Sequence, residues 1–178
     1  MQKDFRKREY QKKDQSGLKE KVLDLRRVTR VVAGGKRFKF RATVVVGDEK
    51  GKIGIGIGKG VDVAQAVGKA KIKATKQMLT IELKDGRTIA HEVRAKYSAA
   101  QVLIKPASVG HGLRSGGAVR SVLALAGVKD ATSKCLGRTP NKLTNAWATI
   151  EALRMLKRVH KKTAAVVPAH TGESTNNL

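Results

Sequence analysis

The residues of this chain best suited to chemistry are cations and glycines. They gather in Val32–Gly60, VAGGKRFKFRATVVVGDEKGKIGIGIGKG, and again in Gly110–Gly117, GHGLRSGG. In the first stretch Gly54, Gly56 and Gly58 alternate with Ile53, Ile55 and Ile57, so one strand carries an apolar face and a face without side chains. A bare face admits close approach to the backbone. The lysines around it point to a polyanion, with phosphate meeting the Gly34–Gly35 and Gly54–Gly60 backbone. The second stretch leads into a helix, where free N–H groups attract phosphate; a plain turn explains it equally well.

Nucleotide chemistry fails on spacing. A phosphate-binding P-loop needs GxxxxGK[ST]. Here Gly58-Lys59 is followed by Gly60, and Ile53 stands where the first glycine belongs. The dinucleotide pattern GxGxxG meets Lys59 or Val61 at its third glycine. Carboxylates such as Asp24, Asp48, Glu49, Asp62, Glu82, Asp85, Glu92, Asp130 and Glu151 are scattered, with no acid–base pair or Mg²⁺ motif among neighbours. A phosphotransfer enzyme therefore lacks residues to carry its chemistry. Cys135 is alone, and His91, His111, His160 and His170 lack zinc-ligand spacing, so no metal site is expected. Cys135 reads as a small apolar strand residue in a reducing compartment.

Composition agrees with a polyanionic partner. Of 178 residues, 38 are Lys or Arg and 14 are Asp or Glu, a net charge of +24. The excess is spread along the chain: 16 basic against 5 acidic residues over 18–80, and 14 against 5 over 81–160. Aromatics make up only 3%, so contact with phosphate and nucleic-acid shape is expected over base stacking. No apolar run is long enough to span a membrane, and the N-terminus lacks the apolar core of a secretory signal.

Periodicity supplies the elements that would position these groups. Val22, Leu25, Val28 and Val31 mark a long edge strand, and Gly34-Gly35 a tight turn. Phe38, Phe40, Ala42, Val44 and Val46 then recur with period two while Arg37, Lys39 and Arg41 point the other way. After the Gly47–Gly51 loop and the glycine strand, Val63, Val67, Ala70, Ala74 and Met78 form a helical stripe. Residues 18–80 thus read as β-β-β-α, with a domain boundary near Leu83–Thr88. The remainder reads strand, helix, strand, helix in two layers. Val102–Ile104 and Val128–Leu136 are its strands. Ala118–Ala126 is a helix capped by Ser115 and stopped by Gly127, and Leu143–Lys157 a helix capped by Thr144.

RVTRVVAGGKRFKFRATVVVGDEKGKIGIGIGKG with the basic helix behind it, and then KPASVGHGLRSGGAVRSVLALAGVKDATSKCLG, strongly resemble the S-five family of small-subunit ribosomal proteins, bacterial type. The likeness covers roughly residues 18–157. It implies an α+β fold: an N-terminal double-stranded-RNA-binding-like β-β-β-α domain over 18–83, and a C-terminal two-layer α/β sandwich of the ribosomal S-five domain 2-like type over 84–160. A flexible basic arm (1–17) and a disordered tail (161–178) are expected to flank them. The C-terminal fold is shared with certain kinases of small metabolites.

The resemblance further implies a non-enzymatic constituent of the cytoplasmic 30S subunit without cofactors. Its partners would be 16S rRNA and proteins S-four and S-eight, near the path by which mRNA enters, with no membrane span and no obligate homo-oligomer. It would support assembly and translational accuracy; a free-standing RNA chaperone is the alternative. Expected rRNA contacts are Arg27, Thr29, Arg30, Gly34, Gly35, Lys36, Arg37, Lys39, Arg41, Lys52, Gly54, Gly56, Gly58, Lys59, Lys69 and Lys73. The family's protruding loop near the spectinomycin site falls on Arg27–Lys36, with Arg27, Val28 and Thr29 proximal. Its fidelity-linked surface toward S-four falls on Gly112, Arg114 and Arg120. The sequence departs from the family pattern at His111, at Leu113-Arg114-Ser115 and over Cys135–Asn141.

Overall fold

Glycine sets how tightly the first layers pack. The computed structural model describes residues 17–157, so the expected tail over 161–178, and all but Gly17 of the expected arm, lie outside the described residues. Strands β1 (Lys19–Val32), β2 (Gly35–Gly47), β3 (Lys52–Gly60) and the two-residue β4 (Leu79–Thr80) form an antiparallel sheet in the order β1-β2-β3-β4. Helix α1 (Val63–Lys76) lies across one face. A Cβ built on Gly54, Gly56 or Gly58 would fall 2.3, 2.0 or 2.1 Å from the carbonyl oxygens of Ala74, Ala70 and Ala66 respectively. The helix therefore rests directly on the strand backbone. Only alanines fit at that distance, and Ala66, Ala70 and Ala74 are fully buried against Ala42, Val44 and Val46.

This overturns two expectations. The inward stripe runs through Ala66 rather than Val63, which is 38% exposed, because larger side chains are pushed to the helix flanks. The apolar alternation of β1 also breaks. Val22 pairs with Val44 and Asp24 with Thr43, leaving Leu23 as a bulged extra residue. The bulge turns Leu23 into the core, while Val22, Leu25 and Val31 stay exposed.

The second face of the sheet, with Val45, Ile53 and Ile55, shares one continuous core with the rest of the chain. There β5 (Val93–Tyr97), β6 (Ala100–Pro106), β7 (Leu113–Arg114) and β8 (Ala131–Cys135) form a sheet in the order β5-β6-β8-β7. Val93, Ala95, Val102 and Ile104 pack under α3 (Lys142–Arg154), with α2 (Gly117–Leu125) beside α3 in the same core, in the two-layer arrangement expected. The simple strand–helix–strand–helix reading omitted β5 and β7; the latter spans two residues and joins β8 in parallel.

The expected caps differ too. Gly116 is the N-cap of α2 and makes no side-chain cap bond, while Ser115 Oγ accepts from Ser133 Oγ at 2.7 Å. Asn141 caps α3, its Oδ1 accepting from the Leu143 N–H, and Thr144 Oγ donates to the Asn141 carbonyl.

The two halves are joined by backbone. The N–H groups of Glu49 and Gly51, in the β2–β3 loop, donate to the carbonyls of Leu125 and Ala126, each at 3.0 Å. Carbonyls at the end of α2, which no further helical turn could satisfy, are thereby satisfied by the other domain. Gly127 turns away at φ +91°, and a Cβ there would fall 2.3 Å from the Glu49 carbonyl.

Candidate nucleic-acid interface

Strand β3 ends with Gly60 opposite Phe40, but β1 and β2 continue together to a turn at Ala33–Gly34. The segment Arg27–Lys36, expected as a protruding loop, is therefore mostly paired strand. Residues directly opposite share a face. One face carries Arg26/Arg41, Val28/Lys39 and Arg30/Arg37, and the other Arg27/Phe40, Thr29/Phe38 and Val31/Lys36. The rRNA residues expected on this hairpin thus divide between two faces.

The first face holds five cations. Arg26 is paired with Asp24 at 2.6 Å; among the described residues Arg30, Arg37, Lys39 and Arg41 have no carboxylate partner. Like charges directly across a strand pair are destabilising, so this concentration serves something other than the fold. On the second face Arg27 sits 4.6 Å from the centre of the Phe38 ring. That cation–π contact orients the guanidinium while leaving its donors free.

The bare face of β3 has a different role from the one expected. Gly54, Gly56 and Gly58 are buried, and the backbone that approaches them is α1, so they pack the fold instead of presenting a surface to phosphate. At the outer edge of β3, Lys59, Lys69 and Lys73 line a groove of about 600 Å³ together with Ile57, Gly58, Ile72 and Lys76. Lys52 stands exposed at the other end of the strand.

The glycine loop before α2 is organised by Asp130, a residue whose importance the sequence hides. Its carboxylate is buried, and Oδ1 accepts the N–H groups of Gly110 at 3.2 Å and Gly112 at 3.0 Å. Its Oδ2 accepts from Arg87 Nε at 2.9 Å. Backbone donation from Gly112 and the Arg87 guanidinium hold the Asp130 carboxyl below the usual carboxylate range against the opposing effect of burial. The anion expected as an option at this loop is thus supplied by the protein. Thr88 Oγ donates to the Asp130 carbonyl at 2.6 Å, and Lys129 N–H to the Arg87 carbonyl at 2.7 Å. The Arg87 turn is stapled to the segment Lys129-Asp130 that leads into β8.

Gly112 (φ +75°), Arg114 and Arg120 follow in this corner, with both arginines exposed. Cys135 is half-buried at the end of β8, where burial pushes its thiol up, an environment unsuited to a nucleophile. Among the described residues no helix is long and apolar enough to cross a membrane.

Fold and surface together define a basic two-domain α+β protein whose first sheet projects an arginine-rich hairpin and whose second presents a carboxylate-anchored glycine loop. Residues 18–82 match the family described as "Ribosomal protein S5, N-terminal domain", and residues 95–165 match "Ribosomal protein S5, C-terminal domain". The chain belongs to the ribosomal protein S5 family. It is similar to "Small ribosomal subunit protein uS5c" of Spinacia oleracea, 46% identical over 146 residues. That match covers 82% of this chain and 47% of the spinach protein, so the chain spans about half the length of this curated relative.

Proposed function

We propose that this protein is a structural constituent of the small ribosomal subunit and binds 16S rRNA through the β1–β2 hairpin. The observation that carries this reading is the cationic face of Arg26, Arg30, Arg37, Lys39 and Arg41, whose outer members Arg30, Arg37 and Lys39 lie beyond the end of β3. Lysine and arginine neutralise phosphates and release counterions, which favours binding at low salt. The family membership supports the ribosomal setting and a non-enzymatic role in assembly and accuracy, in the cytoplasm. Under the same reading Arg27, Val28 and Thr29 are the residues nearest the spectinomycin site. Gly112, Arg114 and Arg120 face S-four, and S-eight is a further neighbour.

A crosslinking map of the protein to rRNA in purified small subunits tests this. Crosslinks clustered on hairpin positions 26–41 support it, and a map without them removes the hairpin from the interface. Co-sedimentation with small subunits at high salt checks the setting; a mainly free cellular pool favours the chaperone alternative.

A further inference from the structure

We propose that the groove between the outer edge of β3 and helix α1 takes an extended, acidic polypeptide segment, which adds as a strand to β3. Strand β4 pairs only with Lys52 and Ile53. Among the described residues, positions 54–59 of β3 have no strand on their outer side. Alternate N–H and C=O groups along such an edge point outward and match another polypeptide backbone. Natural proteins usually blunt an edge of this kind; here the neighbouring side chains build a groove beside it.

The groove has a definite chemistry. Lys69, Ile72, Lys73 and Lys76 follow the spacing i, i+3, i+4, i+7 and so form one ridge of α1, and Ile57, Gly58 and Lys59 line the groove from the strand. Helix α1 contains no acidic residue. Among the described residues none of Lys59, Lys69, Lys73 and Lys76 has a carboxylate partner. Ile72 is an isoleucine left 59% exposed within this ridge of lysines. Cations around an apolar strip beside an open strand edge suit a peptide that carries both acidic and apolar side chains.

The spacing also sets the pattern of that peptide. Lys69 and Lys73 are separated by about 6 Å of helix rise at 1.5 Å per residue, and Lys69 and Lys76 by about 10 Å. Same-face residues of a strand recur about every 6.8 Å. Carboxylates at every second position therefore come opposite the lysine ridge, with apolar residues between them. A sugar–phosphate chain satisfies the lysines but has no alternating amide N–H and C=O to complete the edge. This site lies on the opposite edge of the sheet from β1, so its failure leaves the hairpin reading intact.

The test uses the full chain and a fluorescein-labelled Glu-Val-Glu-Val-Glu-Val peptide, read by fluorescence anisotropy. The alternating peptide should bind at least about tenfold more tightly than Glu-Glu-Glu-Val-Val-Val of the same charge. N-methylation of every second amide, in the phase that faces β3, should abolish that advantage while leaving the charge unchanged. The exposed double substitution K69E/K73E should weaken the alternating peptide by a comparable factor, with circular dichroism confirming an intact fold. Equal affinity for alternating and block peptides overturns the proposal, because charge alone would then account for binding. Indifference to N-methylation of both alternating phases overturns it as well, since no strand would be added.

Discussion

Arg30 and Arg37 lie directly opposite one another on adjacent strands of the hairpin, and neither has a carboxylate partner among the described residues. Two pairs further along the same face, past Val28 and Lys39, Arg26 lies opposite Arg41, and there Asp24 pairs with Arg26. In the free protein Arg30 and Arg37 repel. Bound to phosphates, the same arginines are neutralised.

Two readouts should therefore move in opposite senses when Arg37→Thr removes one member of the pair. Stability of the free protein at low salt should rise, by at most about 1 kcal/mol, as a cross-strand like-charge contact is relieved. Affinity for a 16S rRNA fragment should fall, and the slope of log affinity against log salt should shrink by about 0.7–0.9 for one lost phosphate contact. Chemical denaturation and a salt titration of RNA binding measure the two. An unchanged salt slope would place Arg37 outside the RNA contact.

Gly56→Ala tests the contact between β3 and α1. The added methyl would fall 2.0 Å from the Ala70 carbonyl oxygen and 2.6 Å from the Ala74 nitrogen. Both obstacles are backbone, so no rotamer change relieves them and the helix must lift off the sheet. Overpacking of this kind costs about 1–3 kcal/mol, occasionally more. Urea denaturation should show a loss in the upper part of that range. Gly34→Ala, with open space around the new methyl, is the control and should cost far less.

The acid limb of the stability curve should carry the signature of Asp130. Its folded carboxyl is held below the usual range by Gly112, Arg87 and Gly110. The unfolded chain therefore takes up its proton first as pH falls. The contribution of Asp130 is fully present above the ordinary carboxylate pKa near 4, and it declines as pH falls towards the lower folded value. In Asp130→Asn stability at neutral pH should drop and the acid limb should flatten, as followed by thermal melts between about pH 3 and 7. Faster amide exchange at Gly110 and Gly112 should accompany the loss, because their acceptor is weakened.

Arg120→Glu separates a surface role from a structural one. The side chain is exposed on the first turn of α2, and no ion pair holds it among the described residues. The melting temperature of the free protein should stay within about 2 °C of the parent, as for other surface substitutions. Miscoding by ribosomes carrying the variant should change. A large stability loss with normal fidelity would assign Arg120 to the fold instead.

The patterns that could be read from the chain are those written in neighbouring residues. Alternation placed Phe40, Ala42, Val44 and Val46 on one face of β2 and Arg37, Lys39 and Arg41 on the other, and the register agrees. The bare face of β3 was equally visible, yet its partner was not, because charge suggested phosphate while packing chose α1. Leu23 could not be placed, since a bulge depends on how the partner strand pairs. Asp130 gave no local signal: its ligands Arg87, Gly110 and Gly112 lie 43, 20 and 18 residues away. A lone acid just before a strand, downstream of a Gly-x-Gly loop, is the only hint.

The backbone joint between the β2–β3 loop and the end of α2 makes this molecule a spacer of set length. A hinge requires a linker that can change its torsions without breaking bonds, but here reorientation of the halves would sever the hydrogen bonds at Leu125 and Ala126 and open a shared core. Whatever grips the hairpin and whatever meets the Gly112 corner are consequently held at one separation. A displacement imposed at either end is transmitted to the other and is not absorbed between them.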